Sequence, residues 1–137
     1  MHHSKRVSAP LLAVLIMALA GPSPAQDALR DRPAFSLGDH PARSFAQCHE
    51  VRAMSENLPD PGFRIDLSAT GKLTLVKTDG ALWYLVICQD VRIMCVTYEG
   101  NGMKVGDVVK MQGGYERLDA NHIMLDPCLA QFSNEPG

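Results

Sequence analysis

The sequence is poor in the patterns that usually announce chemistry. Cysteines occur but never as Cys-x-x-Cys, and serines occur but never in a Gly-x-Ser-x-Gly elbow. His40, His49 and His122 are scattered rather than set at ligand spacing. A zinc site wants about four convergent ligands, and a serine nucleophile of the elbow type wants its strand-to-helix turn. Gly100-Asn101-Gly102 opens no helix, so it offers no phosphate-binding N-terminus. Phe45-Ala46-Gln47-Cys48-His49 is one residue short of a c-type haem site, because Phe45 stands where the first cysteine belongs. Only a single thioether at Cys48 would serve haem, and a cysteine available for a disulfide argues against it. The expectation is a protein that is no enzyme and carries neither metal nor cofactor.

Positive charge is also scarce. Lys and Arg number 13 against 15 Asp and Glu, for a formal charge of −2. Nucleic-acid binding depends on neutralising phosphates with Lys and Arg, so this balance argues against it. Nor is there an apolar run long enough for a comfortable membrane span, which needs ~20 residues. Val7 to Ala20 is apolar and rich in Leu and Ala, but it follows Lys5-Arg6 and stops at Gly21-Pro22-Ser23-Pro24-Ala25. That is the layout of a cleaved secretory signal peptide over residues 1–25, with cleavage after Ala25 or, alternatively, Ala20. Its removal takes away Lys5 and Arg6 and leaves every carboxylate, so the mature chain is more acidic than the whole. The expected location is periplasmic or secreted, with no transmembrane span in the mature chain.

What the sequence does hold is an even set of cysteines in that mature part: Cys48, Cys88, Cys95 and Cys128. In an oxidising compartment they read as two disulfides, each stabilising by ~2–4 kcal/mol. Cys88 could staple a hairpin to Cys95, leaving Cys48 with Cys128. Alternatively Cys95 reaches Cys128 across neighbouring strands while Cys48 ties the N-terminal arm to Cys88.

The clearest element is Arg64 to Lys77. Ile65, Leu67, Ala69, Gly71, Leu73 and Leu75 share one parity, and Arg64, Asp66, Ser68, Thr70, Lys72 and Thr74 the other. Such alternation predicts a long strand with a buried and a wet face, bent at Gly71. Before it, residues 26–43 read as a flexible arm, and Ser44 to Met54 as a short helix capped by Ser44 and Gln47. After it, Asp79-Gly80 signals a tight hairpin. Ala81 to Cys88 and Ile93 to Tyr98 form the next strands. A fourth starts at Val105-Gly106-Asp107, with a close backbone approach or bend at Gly113-Gly114. A fifth carries Ile123 and Leu125 inward and ends at Pro127. Residues 133–137 read as a frayed tail, leaving 44–132 as the domain.

Five strands in this order, the first long and bent, resemble an OB fold, the five-stranded Greek-key barrel. The resemblance rests on Gly106-Asp107-Val108-Val109-Lys110-Met111-Gln112-Gly113, which is similar to the fourth strand of such domains. More narrowly, Met94-Cys95-Val96-Thr97-Tyr98 and Ile123-Met124-Leu125-Asp126-Pro127-Cys128 resemble the cysteine-bearing strands of exported tRNA-anticodon-binding-like OB-fold proteins. The likeness runs from about Arg64 to Ala130. It implies an all-β barrel with a short N-terminal helix and no catalytic residue. OB folds bind through their second and third strands and adjoining loops. On that map the ligand-binding candidates are Trp83, Tyr84, Tyr98, Arg92, Lys77 and Tyr115. The competing reading is that Trp83 and Tyr84 fill the core or rim of the barrel. The expected partner is an envelope protein, peptide or saccharide; an oligonucleotide is the alternative.

Overall fold

The structure, a computed structural model, describes residues 15–19, 21, 27, 29–38, 40–58, 60 and 62–135. The basic start of the leader, most of its apolar run and both expected cleavage positions lie outside the described residues, as do Pro136 and Gly137. No helix among the described residues is long and apolar enough to cross a membrane.

Among the described residues seven strands follow in chain order: β1 (Phe35–Leu37), β2 (Ala46–Gln47), β3 (Ile65–Thr78), β4 (Trp83–Ile87), β5 (Arg92–Thr97), β6 (Val108–Asp119) and β7 (His122–Phe132). A 3₁₀ turn (Cys48–Glu50) leads into helix α1 (Val51–Ser55). Strands β3, β4, β5, β7 and β6 neighbour one another in that order, and β6 returns to pair with β3. The result is a closed five-stranded barrel, compatible with an OB-fold-like barrel. Closure leaves the long strand with two partners. Asp66–Lys72 runs beside β6, and the stretch from Leu73 onward runs beside β4. β5 and β7 are parallel, and the other barrel pairs are antiparallel.

Leu67, Leu73, Leu85, Ile87, Ile93, Met111, Ile123 and Leu125 fill the interior and are almost wholly buried. Each such side chain stabilises by ~1.5–3 kcal/mol relative to exposure. The parity expected of β3 holds as far as Leu73. There the strand bulges: Leu73 pairs with Ile87 and Leu75 with Val86, so Thr74 is the extra residue. An inserted residue swaps the faces beyond it. Leu75 therefore turns outward, 47 % exposed, and Val76 packs against the core. Gly71 is not at this register shift. Its missing side chain makes room for Cys48, whose Sγ would lie 2.7 Å from an added Cβ. Gly113 and Gly114 serve a close approach as expected, with Pro127 and Asp126 carbonyls lying where their Cβ atoms would be.

The N-terminal segment departs from its expectation most. Residues read as a flexible arm include Leu29, Ala34 and Phe35, all buried, and β1 pairs Phe35 with Leu67. Ser68 and Thr70, on the supposedly wet face of β3, are buried too. Ser68 N–H donates to Ala34 O (2.9 Å), and Thr70 Oγ1 donates to Val109 O (3.0 Å). The helix expected over Ser44–Met54 starts later, because Ala46 and Gln47 are extended and matched with Ala69 and Thr70. A backbone committed to a ladder cannot also open a helix, so the cap moves: Gln47 N–H donates to Glu50 Oε2 (2.8 Å).

Helix α1 closes one end of the barrel. Val51 is fully buried, and Arg52 donates to both Asp90 oxygens (2.9 and 2.7 Å) and to Asn121 Oδ1 (2.9 Å). Arg117 reaches from β6 to Ser55 O (2.7 Å) and Ala120 O (3.0 Å). These bonds tie the helix to the β4–β5 and β6–β7 turns. The β5–β6 connection, residues 98–107, holds no helix. The plug is thus supplied from the N-terminal side.

Both disulfides are formed: Cys48–Cys88 fixes the 3₁₀ turn to the end of β4, and Cys95–Cys128 joins β5 to β7. The fifth strand does not end at Pro127. It continues along β6 to Phe132, and Ser133 N–H extends the register onto Val108 O (2.9 Å). The supposed tail also carries an ion pair, Lys110 Nζ–Glu135 Oε2 (3.3 Å).

Candidate functional site: the outward face of four strands

Residues paired across a sheet share a face, so the register assigns each side chain to the interior or to solvent. Val76, Leu85, Cys95 and Leu125 form one inward row. The neighbouring row, Leu75, Val86, Met94 and Met124, points outward across β3, β4, β5 and β7. It is apolar along its whole length. Val86 is buried by its neighbours, Met94 and Met124 are half-buried, and Leu75 is exposed. Glu116 of β6 ends the row.

Rows with polar side chains flank it on either side. Above lie Lys77 and Tyr84, with the buried Val96 completing that row on β5. Tyr84 Oη donates to Asp79 Oδ2 (2.8 Å), which orients the phenol along the hairpin. Asp79 is held below the usual carboxylate range by the backbone N–H groups of Leu82 and Ala81 and then by the Tyr84 hydroxyl. The same bond pushes the Tyr84 phenol up. Below lie Arg92 and His122, matched across the parallel pair. Arg92 Nη1 lies 3.2 Å from His122 Nε2, and His122 Nδ1 lies 2.8 Å from Asp119 Oδ1. A guanidinium can only donate, so in this arrangement Nε2 accepts and Nδ1–H faces Asp119. Asp119 is lowered by the Asn121 N–H first and by His122 second.

Three of the six residues expected to bind a ligand therefore share this face: Lys77, Tyr84 and Arg92. The other three do not. Trp83 has the inward parity of Leu85 and lies at the barrel's rim against Gly100, where an added Cβ would come within 2.7 Å of its ring. Tyr115 also points inward, meeting Phe35 edge-on at 5.2 Å, and burial pushes its phenol up. Tyr98 lies beyond the end of β5 and is 79 % exposed in a separate cleft. Sequence reasoning missed the apolar row itself. Its one available signal was a methionine on each cysteine-bearing strand, at Met94 and Met124, next to the inward Cys95 and Leu125.

Cys48, the basis of the haem alternative, is bonded to Cys88 and has no thiol left for a thioether. A scan against protein-family models finds no match to this chain, and a search of curated proteins finds none either.

Proposed function

We propose that this chain is an exported OB-fold protein of the tRNA-anticodon-binding-like type, acting in the cell envelope as a binding or structural module for a protein or peptide. The observation that carries this reading is the outward row Leu75–Val86–Met94–Met124. A half-open apolar stripe bordered by polar rows has the make-up of a protein-recognition surface, and methionine adapts its shape to a partner. An oligonucleotide would need a basic track. The cations placed on this face, Lys77 and Arg92, lie on opposite flanks of the apolar row, with Val86 and Met94 between them, and form no track. Asp79, Asp119 and Glu116 border the same face, so a protein or peptide is served better than a phosphate backbone.

The test is a paired co-purification from the native envelope, using the wild type and a Met94→Glu, Met124→Glu variant shown by its melting curve to be folded. A partner recovered by the wild type and lost by the variant supports the reading. Identical recoveries would remove the outward row from any role in binding.

A further inference from the structure

β5 is matched to β7 only as far as Leu125, and from there the two strands part. β7 runs on to Phe132 with β6 on one side and, among the described residues, no strand paired on the other. Which backbone groups face the open side follows from the register. Ser133 N–H donates to Val108 O, and the same register matches Gln131 with Lys110 and Leu129 with Gln112. Bonded and non-bonded pairs alternate in an antiparallel ladder. Ser133, Gln131 and Leu129 therefore spend their backbone groups on β6. Ala130 and Phe132 turn their N–H and C=O the other way.

That open side borders a cleft of about 600 Å³ lined by Thr97, Tyr98, Glu99, Gln112, Leu129 and Ala130, among others. Natural edge strands are guarded by charges, prolines or bulges. Cys128-Leu129-Ala130-Gln131-Phe132 has no charge and no proline, and Leu129 and Phe132 are 79 % and 54 % exposed. Arg64 at the cleft is already bonded to Asp66 (2.6 Å). Glu99 has no ion-pair partner among the described residues, so the cleft carries an uncompensated negative charge.

We propose that this cleft takes an extended peptide bearing a basic side chain, added as a strand along Ala130–Phe132. Alternating backbone donors and acceptors are matched best by another extended backbone. Tyr98 and Leu129 supply apolar contact, and Glu99 receives the cation. This surface is distinct from the outward row and would survive the failure of that reading.

The probe is a short capped peptide of alternating valine and lysine, titrated into isotope-labelled protein and followed by NMR. The amides of Ala130 and Phe132 should gain exchange protection while the Met94 and Met124 methyl signals stay in place. Methylating alternate peptide nitrogens should weaken binding about tenfold or more, and replacing lysine with glutamate should weaken it as well. Ala130→Pro, which removes a donor not used by β6, should abolish the response in a protein that still melts cooperatively. Three results would overturn the proposal: unchanged amides at millimolar peptide, equal binding of the methylated peptide, or protection that grows with protein concentration alone. The last would mean that a second copy occupies the edge.

Discussion

The two disulfides close loops of similar length and do different work. Their partners are 33 residues apart for Cys95–Cys128 and 40 for Cys48–Cys88. Chain entropy then assigns each ~4 kcal/mol and separates them by only ~0.2 kcal/mol. Any real difference must arise in the folded state. Cys95 and Cys128 are buried inside the barrel and bridge β5 and β7 just where their pairing stops. Cys48 is half-buried at the closed end and holds a segment whose own secondary structure is a two-residue strand, a 3₁₀ turn and one short helix. Cys88 also sits at φ 69°, a left-handed conformation that costs a non-glycine residue ~1–2 kcal/mol. One bond thus reinforces the wall, and the other retains the plug against local strain.

The largest effect should come from breaking the wall. Cys95→Ala with Cys128→Ala should lower the unfolding free energy by ~4–5 kcal/mol, the loop term plus a small cavity. Urea denaturation should show one cooperative transition at a lower midpoint; a loss under about 2 kcal/mol would sink the assignment. Cys48→Ala with Cys88→Gly should cost less, ~2–3 kcal/mol, because glycine releases the strain at position 88. Its signature is spatial: amides of residues 47–55 should lose exchange protection while those of Leu85 and Ile123 keep theirs. Uniform loss across both regions would mean that the plug is not a separate unit.

Gly71→Ala sharpens the same contrast. Its Cβ would meet Cys48 Sγ at 2.7 Å and Ile87 Cβ at 3.3 Å. The expected cost is ~1–3 kcal/mol in the wild type. Most of it should vanish when Cys48 is already alanine, a coupling that a double-mutant cycle reads directly. Gly113→Ala is the counterpart at the other bond. There the added Cβ meets the Pro127 carbonyl and Cys128 Cα, and removing the Cys95–Cys128 sulfurs should relieve little.

The barrel was legible because its signals are local. Alternation over Ile65–Leu73, Asp79-Gly80 and Gly106–Gly113 each constrain a few adjacent residues. The plug was not, because its determinants are distant. Ala46-Gln47 carries helical spacing around it and is extended only because Ala69 and Thr70 offer a ladder. Phe35 lies between prolines and charges, and its burial depends on Leu67 and Tyr115. The outward row was hidden by a single event. With no bulge at Thr74, Leu75 would have been another core residue, and nothing in Lys72-Leu73-Thr74-Leu75 marks where the register slips. The disulfide pairing stayed open for a related reason: four cysteines constrain one another only once the strands have neighbours.

The smallest expected effect concerns the polar bonds that share the plug's work with Cys48–Cys88. Arg52 donates to both oxygens of Asp90, and this bond and the opposite charge hold the Asp90 carboxyl below its usual range. A carboxyl whose folded value is lowered contributes stability that is complete above the unfolded value of ~3.9. That contribution is lost as pH falls through the lowered folded value. The pair is exposed and screened by salt, so in the wild type the covalent bond should mask it. In the Cys48→Ala, Cys88→Gly variant the helix depends on Arg52 and Arg117. Protection factors of residues 51–55, corrected for intrinsic exchange, should then fall as pH drops from about 5 to about 3. Asp90→Asn in that background should remove most of this pH dependence, leaving protection low and nearly flat. A variant that keeps the same acid response with asparagine at position 90 would mean that a carboxylate other than Asp90 sets it, because the Arg117 partners at Ser55 and Ala120 are carbonyl oxygens and do not titrate.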